Sequence, residues 1–197
     1  TPDPYVTPDF TAMACKGGTH GQWWLDWHRE YRGWRTAGLE VQTAIQFNGA
    51  STGDERSWTK HDGANGRTPF RAAYNYGYAF AEHFGPTYGT GDVLVMEVGN
   101  EPHFAPSLYS DILLGMAMGA KEADPRMKVL PGVIVGKHGM MMVDEGYMNR
   151  THLKYLDGLN THIYSWAQTS RGRTGVHPEN KVSIWWEILQ IISFRDD

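Results

Sequence analysis

Glu101 is the residue best placed to do chemistry. It closes the run D-V-L-V-M-E-V-G-N-E-P (Asp92–Pro102), an apolar, strand-like stretch that ends on Gly99 and Asn100 and is stopped by Pro102. A carboxylic acid at the carboxyl end of a buried strand, walled by apolar groups, has its charged form disfavoured and its pKa raised. A general acid working near neutral pH requires that shift. Alone, Asn-Glu-Pro would be an ordinary turn, because all three residues are common in loops; the strand before it gives it meaning. Other polar residues recur at the ends of apolar runs: Asn48 after Phe47, and His162 and Tyr164 in L-N-T-H-I-Y (Leu159–Tyr164). Trp166 follows directly and would sit on the same rim, where a flat amphipathic ring can serve as a platform for a sugar. With 8 Trp and 10 Tyr the chain holds more such rings than its size needs, and at least half of them are expected in the core.

The elements that must position these residues alternate. Short apolar strands are expected at 41–48, 93–98, 128–135 and 159–164. Helices are expected at 71–84, 107–122 and 140–155, with a last amphipathic one at 184–194. An earlier helix, 23–38, carries Trp23, Trp24, Trp27, Tyr31 and Trp34 at helical spacing, read as a stripe packed on a sheet, and it stops at Gly38. Strands alternating with helices imply an α/β fold built on a parallel sheet. Residues 1–22 read as a peripheral segment and 23–197 as one domain.

Side chains alternate across a strand. Val41, Thr43, Ile45 and Phe47 therefore oppose Gln42, Ala44, Gln46 and Asn48. Glu97, Gly99 and Glu101 oppose Met96 and Val98, and Leu159, Thr161 and Ile163 oppose Asn160, His162 and Tyr164. An open doubly wound sheet has helices on both faces, where polar rows would be costly to bury. In a barrel one face looks into the lumen, whose carboxyl-end rim is the active-site floor. The polar rows favour a barrel. Glu97, charged inside an apolar strand, is expected to be paired with a donor. Trp58 and His61 fall in the Gly-rich stretch 49–69 and are candidates for a subsite wall, although a surface loop is the default.

Several classes of function are disfavoured. The 18 Lys and Arg against 22 Asp and Glu leave a net charge of −4 with no basic block, which argues against nucleic acid or an anionic membrane as partner. No apolar run approaches the ~18–20 residues of a membrane span. The single cysteine, Cys15, excludes an internal disulfide framework and a multi-cysteine zinc site. The nine histidines show neither H-x-H nor H-E-x-x-H spacing, and no Gly-rich phosphate loop follows a strand, so no metal and no cofactor is expected.

The run Asp92–Pro102 resembles the fourth strand of the clan A glycoside hydrolases, a (β/α)8 superfamily in which an Asn-Glu pair ends that strand. Leu159–Tyr164 is similar to strand six of the same clan, and the Phe47-Asn48 ending to strand three. The likeness spans most of residues 23–194, and only the strand-four motif is highly specific. It implies a partial (β/α)8 TIM barrel, about strands three to six with their helices. Glu101 would be the acid/base of a retaining glycosidase, and Asn100 the neighbour that binds the sugar 2-hydroxyl. His162 and Tyr164 would line the subsite near the nucleophile, with Asn48 and Trp166 as further substrate contacts. The nucleophile of this clan is a Glu at the end of strand seven, about 5–5.5 Å from the acid/base. Glu187, in V-S-I-W-W-E, is the nearest candidate in the chain, but that run continues into I-L-Q-I-I-S-F with helical spacing. The sequence favours a helix there and a nucleophile beyond Asp197. A barrel of about 250 residues then makes this chain a fragment, inactive by itself. The implied substrate is a polysaccharide or oligosaccharide, and that substrate class alone suggests a secreted or periplasmic protein, since no signal-peptide pattern is present. A noncatalytic glycan-binding protein and an α/β enzyme of unrelated chemistry are the rival expectations.

Overall fold

In the computed structural model, residues 27–45, 68–101, 105–132 and 145–160 are described, and they form a mixed α/β structure. The order is α1 (Trp27–Thr36), β1 (Gln42–Ile45), α2 (Pro69–Phe84), β2 (Val95–Val98), α3 (Pro106–Ala123) and β3 (Lys128–Pro131), then a short 3-10 turn at His152–Lys154. Both strand pairs are parallel, and β2 lies between β1 and β3. The register aligns Ala44, Glu97 and Leu130 across the sheet, and likewise Ile45, Val98 and Pro131.

Local chemistry sets the helix ends. Thr68 caps α2 by accepting the Arg71 N–H at 3.2 Å, and Pro69 supplies a preset first turn. At the end of α1, Gly38 takes φ +83°. Its N–H donates to the Arg35 carbonyl while the Leu39 N–H reaches back to that of Trp34. These two bonds are the Schellman arrangement, which needs a residue tolerant of positive φ. The expected stop at Gly38 is therefore observed.

The aromatic stripe of α1 behaves differently from expectation. Trp23 and Trp24 lie outside the described residues; of the stripe's described rings only Tyr31 is buried, edge-on to Phe84 at 5.4 Å between ring centroids, while Trp27 and Trp34 stay 36% and 41% exposed. Those two rings flank Tyr31 along the helix instead of following it into the core. His28 joins the contact, its ring meeting that of His83 near the end of α2.

Met96, Val98, Val129 and Ile45 point to the face that α2 and α3 cover, and with Phe80, Phe84, Ile112, Leu113 and Met116 they form one buried cluster. The helices reach nearly backbone-to-backbone contact. A Cβ built on Gly77 would fall against the Met116 carbonyl, one on Gly115 against that of Phe70, and one on Gly119 against that of Tyr74. Each interior helical glycine costs roughly 0.5–1 kcal/mol relative to alanine, so the close approach is what these three positions provide.

The return from α3 to the sheet depends on Asp124, which is fully buried. Its carboxylate accepts the N–H groups of Thr87 at 2.6 Å, Arg126 at 3.0 Å and Tyr88 at 3.3 Å. Burial acts to raise its pKa, but the donors from Thr87, Arg126 and Tyr88 outweigh it and hold the carboxyl below its usual value.

A helix expected over 140–155 is not present in its described part, 145–155. Gly146 breaks the run at φ +80°, and the Asn149 side chain accepts the Thr151 N–H at 2.8 Å, a local bond that competes with helix. The segment is anchored by buried His152, whose ring bonds Asn149 on one side and the Ser110 carbonyl, at 2.9 Å, on the other. In the strand expected at 159–164, the described pair Leu159–Asn160 is not strand and Leu159 is exposed; 161–164 lie outside the described residues. Among the described residues no helix is long and apolar enough to cross a membrane.

Three stability measurements check this packing and the Asp124 turn. Gly119→Ala should lower unfolding free energy in urea by about 1–3 kcal/mol, the cost of overpacking, although alanine favours helix. Gly33→Ala on α1, where a new Cβ meets nothing within 4 Å, should raise it by up to ~1 kcal/mol. Asp124→Asn should cost about 2 kcal/mol at pH 7, the scale for hydrogen bonds to a charged group. Because the native pKa is depressed, the wild-type advantage is present above the unfolded value of about 4. It should fade as pH falls through the native one, so the two proteins' urea midpoints converge in acid.

Candidate active site at the carboxyl end of the sheet

The central strand ends in a left-handed turn. Gly99 takes φ +88°, and Glu101 takes φ +48°, the one non-glycine residue with positive φ among those described. A left-handed conformation costs an ordinary L-residue roughly 1–2 kcal/mol, and such outliers gather at functional sites. Asn100 is exposed and Glu101 half-buried.

Both flanks hold this turn. On the β1 side the Gly99 N–H donates to the Ile45 carbonyl at 3.0 Å, and on the β3 side the Gly132 N–H donates to the Val98 carbonyl at 2.9 Å. Gly132 has no room for a side chain, because a Cβ there would press on the carbonyl oxygens of Gly99 and Val98. The strand end is thus a crowded platform, and Asn100 and Glu101 rise from it.

The face opposite the helices carries Gln42, Ala44, Val95, Glu97, Lys128 and Leu130. Gln42, Ala44 and Lys128 are exposed, and Val95 and Leu130 are partly so. Glu97 is the exception at 5% exposure. The Gln42 side-chain amide donates to its Oε2 at 3.2 Å, so this buried carboxylate has a donor across the strand pair. The sequence-derived separation into an apolar and a polar face holds for β1 and β2, and β3 follows it with Val129 and Pro131 buried against Lys128 exposed.

Of the residues singled out from sequence, Glu101 and Asn100 stand together at the end of β2. Asn48, His162, Tyr164, Trp166, Trp58, His61 and Glu187 lie outside the described residues. Neither Tyr109 nor Gly132, both of which contact the strand end, stands out in the sequence; the spacing shows Tyr109 only as another helix residue. Among the described residues no group of three or more His, Cys, Asp or Glu could hold a metal ion.

No family model matches this chain, and no curated protein or solved structure matches it either.

Relieving the turn should be visible as stability. Glu101→Gly removes the left-handed cost of about 1–2 kcal/mol and adds the glycine entropy cost of about 0.5–1 kcal/mol. The expected net gain is up to ~1 kcal/mol, read as a higher urea midpoint.

Proposed function

We propose that the chain carries part of a (β/α)8 barrel, and that Glu101 is the general acid/base of a retaining glycosidase acting on a polysaccharide or oligosaccharide. The observation that carries this is the turn itself: a half-buried carboxylate on a left-handed backbone, at the carboxyl end of the central strand of a parallel sheet. Barrel enzymes keep their catalytic residues at that end of the strands.

Two features support the barrel. The strands follow one another in space in chain order, with both crossover helices on one face and polar side chains on the other. The Asp157 N–H also donates to the Val129 carbonyl at 2.9 Å, on the side of β3 away from β2. A next parallel strand would pair on that side of β3, and with it the four strands would correspond to strands three to six.

In the proposed reaction Glu101 gives its proton to the glycosidic oxygen as the bond to the anomeric carbon breaks. A second carboxylate bonds that carbon, and water, deprotonated by Glu101, then displaces the carboxylate. Asn100, exposed beside Glu101, is available to the 2-hydroxyl; His162, Tyr164, Asn48 and Trp166 complete the substrate contacts. The second carboxylate is assigned beyond Asp197, with Glu187 as the weaker candidate within the chain. The chemistry calls on no metal or organic cofactor, and a polymeric substrate suits a protein exported from the cell.

The test uses the protein expressed from its natural reading frame, assayed for reducing sugar released from plant, algal and microbial polysaccharides. Glu101→Gln should lower kcat by about 10²–10⁴-fold, the usual worth of a general acid–base group, with oligosaccharide binding retained. For Glu101→Ala assayed on an aryl glycoside, whose phenolate leaves without an acid, azide should restore turnover as a glycosyl azide, since an anionic nucleophile needs no base. Undiminished activity in Glu101→Gln overturns the assignment. Saturable oligosaccharide binding without hydrolysis would instead identify a glycan-binding protein.

A further inference from the structure

We propose that Tyr109 is a positioning residue for the acid/base turn: its buried hydroxyl fixes the Val98–Gly99 peptide unit, at which the turn that leads to Glu101 begins. This rests on the assignment of Glu101 above and adds to it a residue that would never touch substrate.

Tyr109 lies in the first turn of α3 and is fully buried, its ring edge-on to Tyr147. The hydroxyl donates to the Val98 carbonyl at 2.8 Å, with the Gly132 carbonyl at 3.2 Å, and accepts the Gly132 N–H at 2.8 Å. The same Gly132 N–H reaches Val98. The ends of β2 and β3 therefore converge on one oxygen atom.

Val98 C=O and Gly99 N–H belong to a single planar peptide unit. Its carbonyl is held by Tyr109 and Gly132, and its N–H by Ile45. A plane held at both ends cannot rotate, which fixes the start of the turn that runs through Gly99 and Asn100 to Glu101. Phenylalanine would fill the same volume, so packing alone does not call for the hydroxyl; burying one is costly unless it is bonded. Burial, reinforced by the nearby charge of Glu97, also pushes the phenol's pKa up, so the hydroxyl keeps the proton that it donates.

The experiment reads the turn directly by nuclear magnetic resonance, without activity. In the wild-type protein the Tyr109 hydroxyl proton should exchange slowly enough to be seen and should show a cross-relaxation peak to the Gly132 amide. In Tyr109→Phe, the Glu101 Cα and Cβ shifts should lose their left-handed pattern, and the Gly99 and Gly132 amide signals should move. Met116→Ala, a core truncation in the same helix, should leave those signals in place despite its loss of stability. The inference is overturned if the wild-type hydroxyl proton lacks that peak, or if Tyr109→Phe leaves the Glu101 shifts unchanged. It also fails if Met116→Ala moves them equally. Should Tyr109→Phe not fold, the wild-type hydroxyl measurement decides by itself. Failure of the glycosidase assignment would show separately, as undiminished activity in Glu101→Gln.

Discussion

Two parallel crossovers on one side of a sheet face a mismatch of spacing. Adjacent strands sit about 4.8 Å apart, whereas packed helices normally need about 8–10 Å between axes. Successive strands β1, β2 and β3 are neighbours, so α2 and α3 must crowd or the sheet must curve away from them. Gly77, Gly115 and Gly119 let the helix backbones nearly touch and absorb part of the difference. Curvature of the sheet away from the helices is the other way to relieve the mismatch, and it would make the face of Gln42, Glu97 and Lys128 the concave one. Glycines in two helices thus bear on the packing of a sheet whose far face they never reach.

The same sheet concentrates constraint at its carboxyl end. Hydrogen bonds from both neighbouring strands hold the last peptide of β2, and Gly132 keeps the space above β3 clear for the Gly99 carbonyl. Strain at Glu101 survives only because its surroundings over-determine it. Elsewhere, ordinary local chemistry suffices: the Thr68 cap, the glycine stop after α1, and the N–H groups gathered by Asp124. The molecule spends its unusual backbone geometry on the strand end that carries Asn100 and Glu101.

Much of this was legible in the sequence where a period repeats. The runs 71–84 and 107–122 have helical spacing, and Val93–Val98 is short, apolar and bounded by turn formers, so all three elements fall within two residues of expectation. Alternation also separated the two sheet faces correctly along β1 and β2. The helical glycines could not be read, since interior glycine looks like weak helix until its partner backbone is known. Nor could the left-handed backbone of Glu101, because glutamate has no preference for it. Residues 145–155 misled because Gly146 and Asn149 offer local bonds that override a helical pattern. Tyr109 reads as one more apolar position, and its partners Val98 and Gly132 lie 11 and 23 residues away in the chain.

The far side of β3 has a consequence of its own. Alternate residues of a strand direct their peptide groups to opposite neighbours, and on this side the available groups belong to Val129 and Pro131. Proline has no N–H, and that of Val129 is already taken by the Asp157 carboxylate at 2.7 Å, itself paired with Lys121. The Val129 carbonyl is engaged as well, by the Asp157 N–H, so among the described residues a foreign chain approaching this rim would find no donor and could form no regular ladder. Open rims of this kind are where proteins stick to one another. The fold has closed this one with the Asp157 side chain and main chain, which take the Val129 groups that a stranger would need.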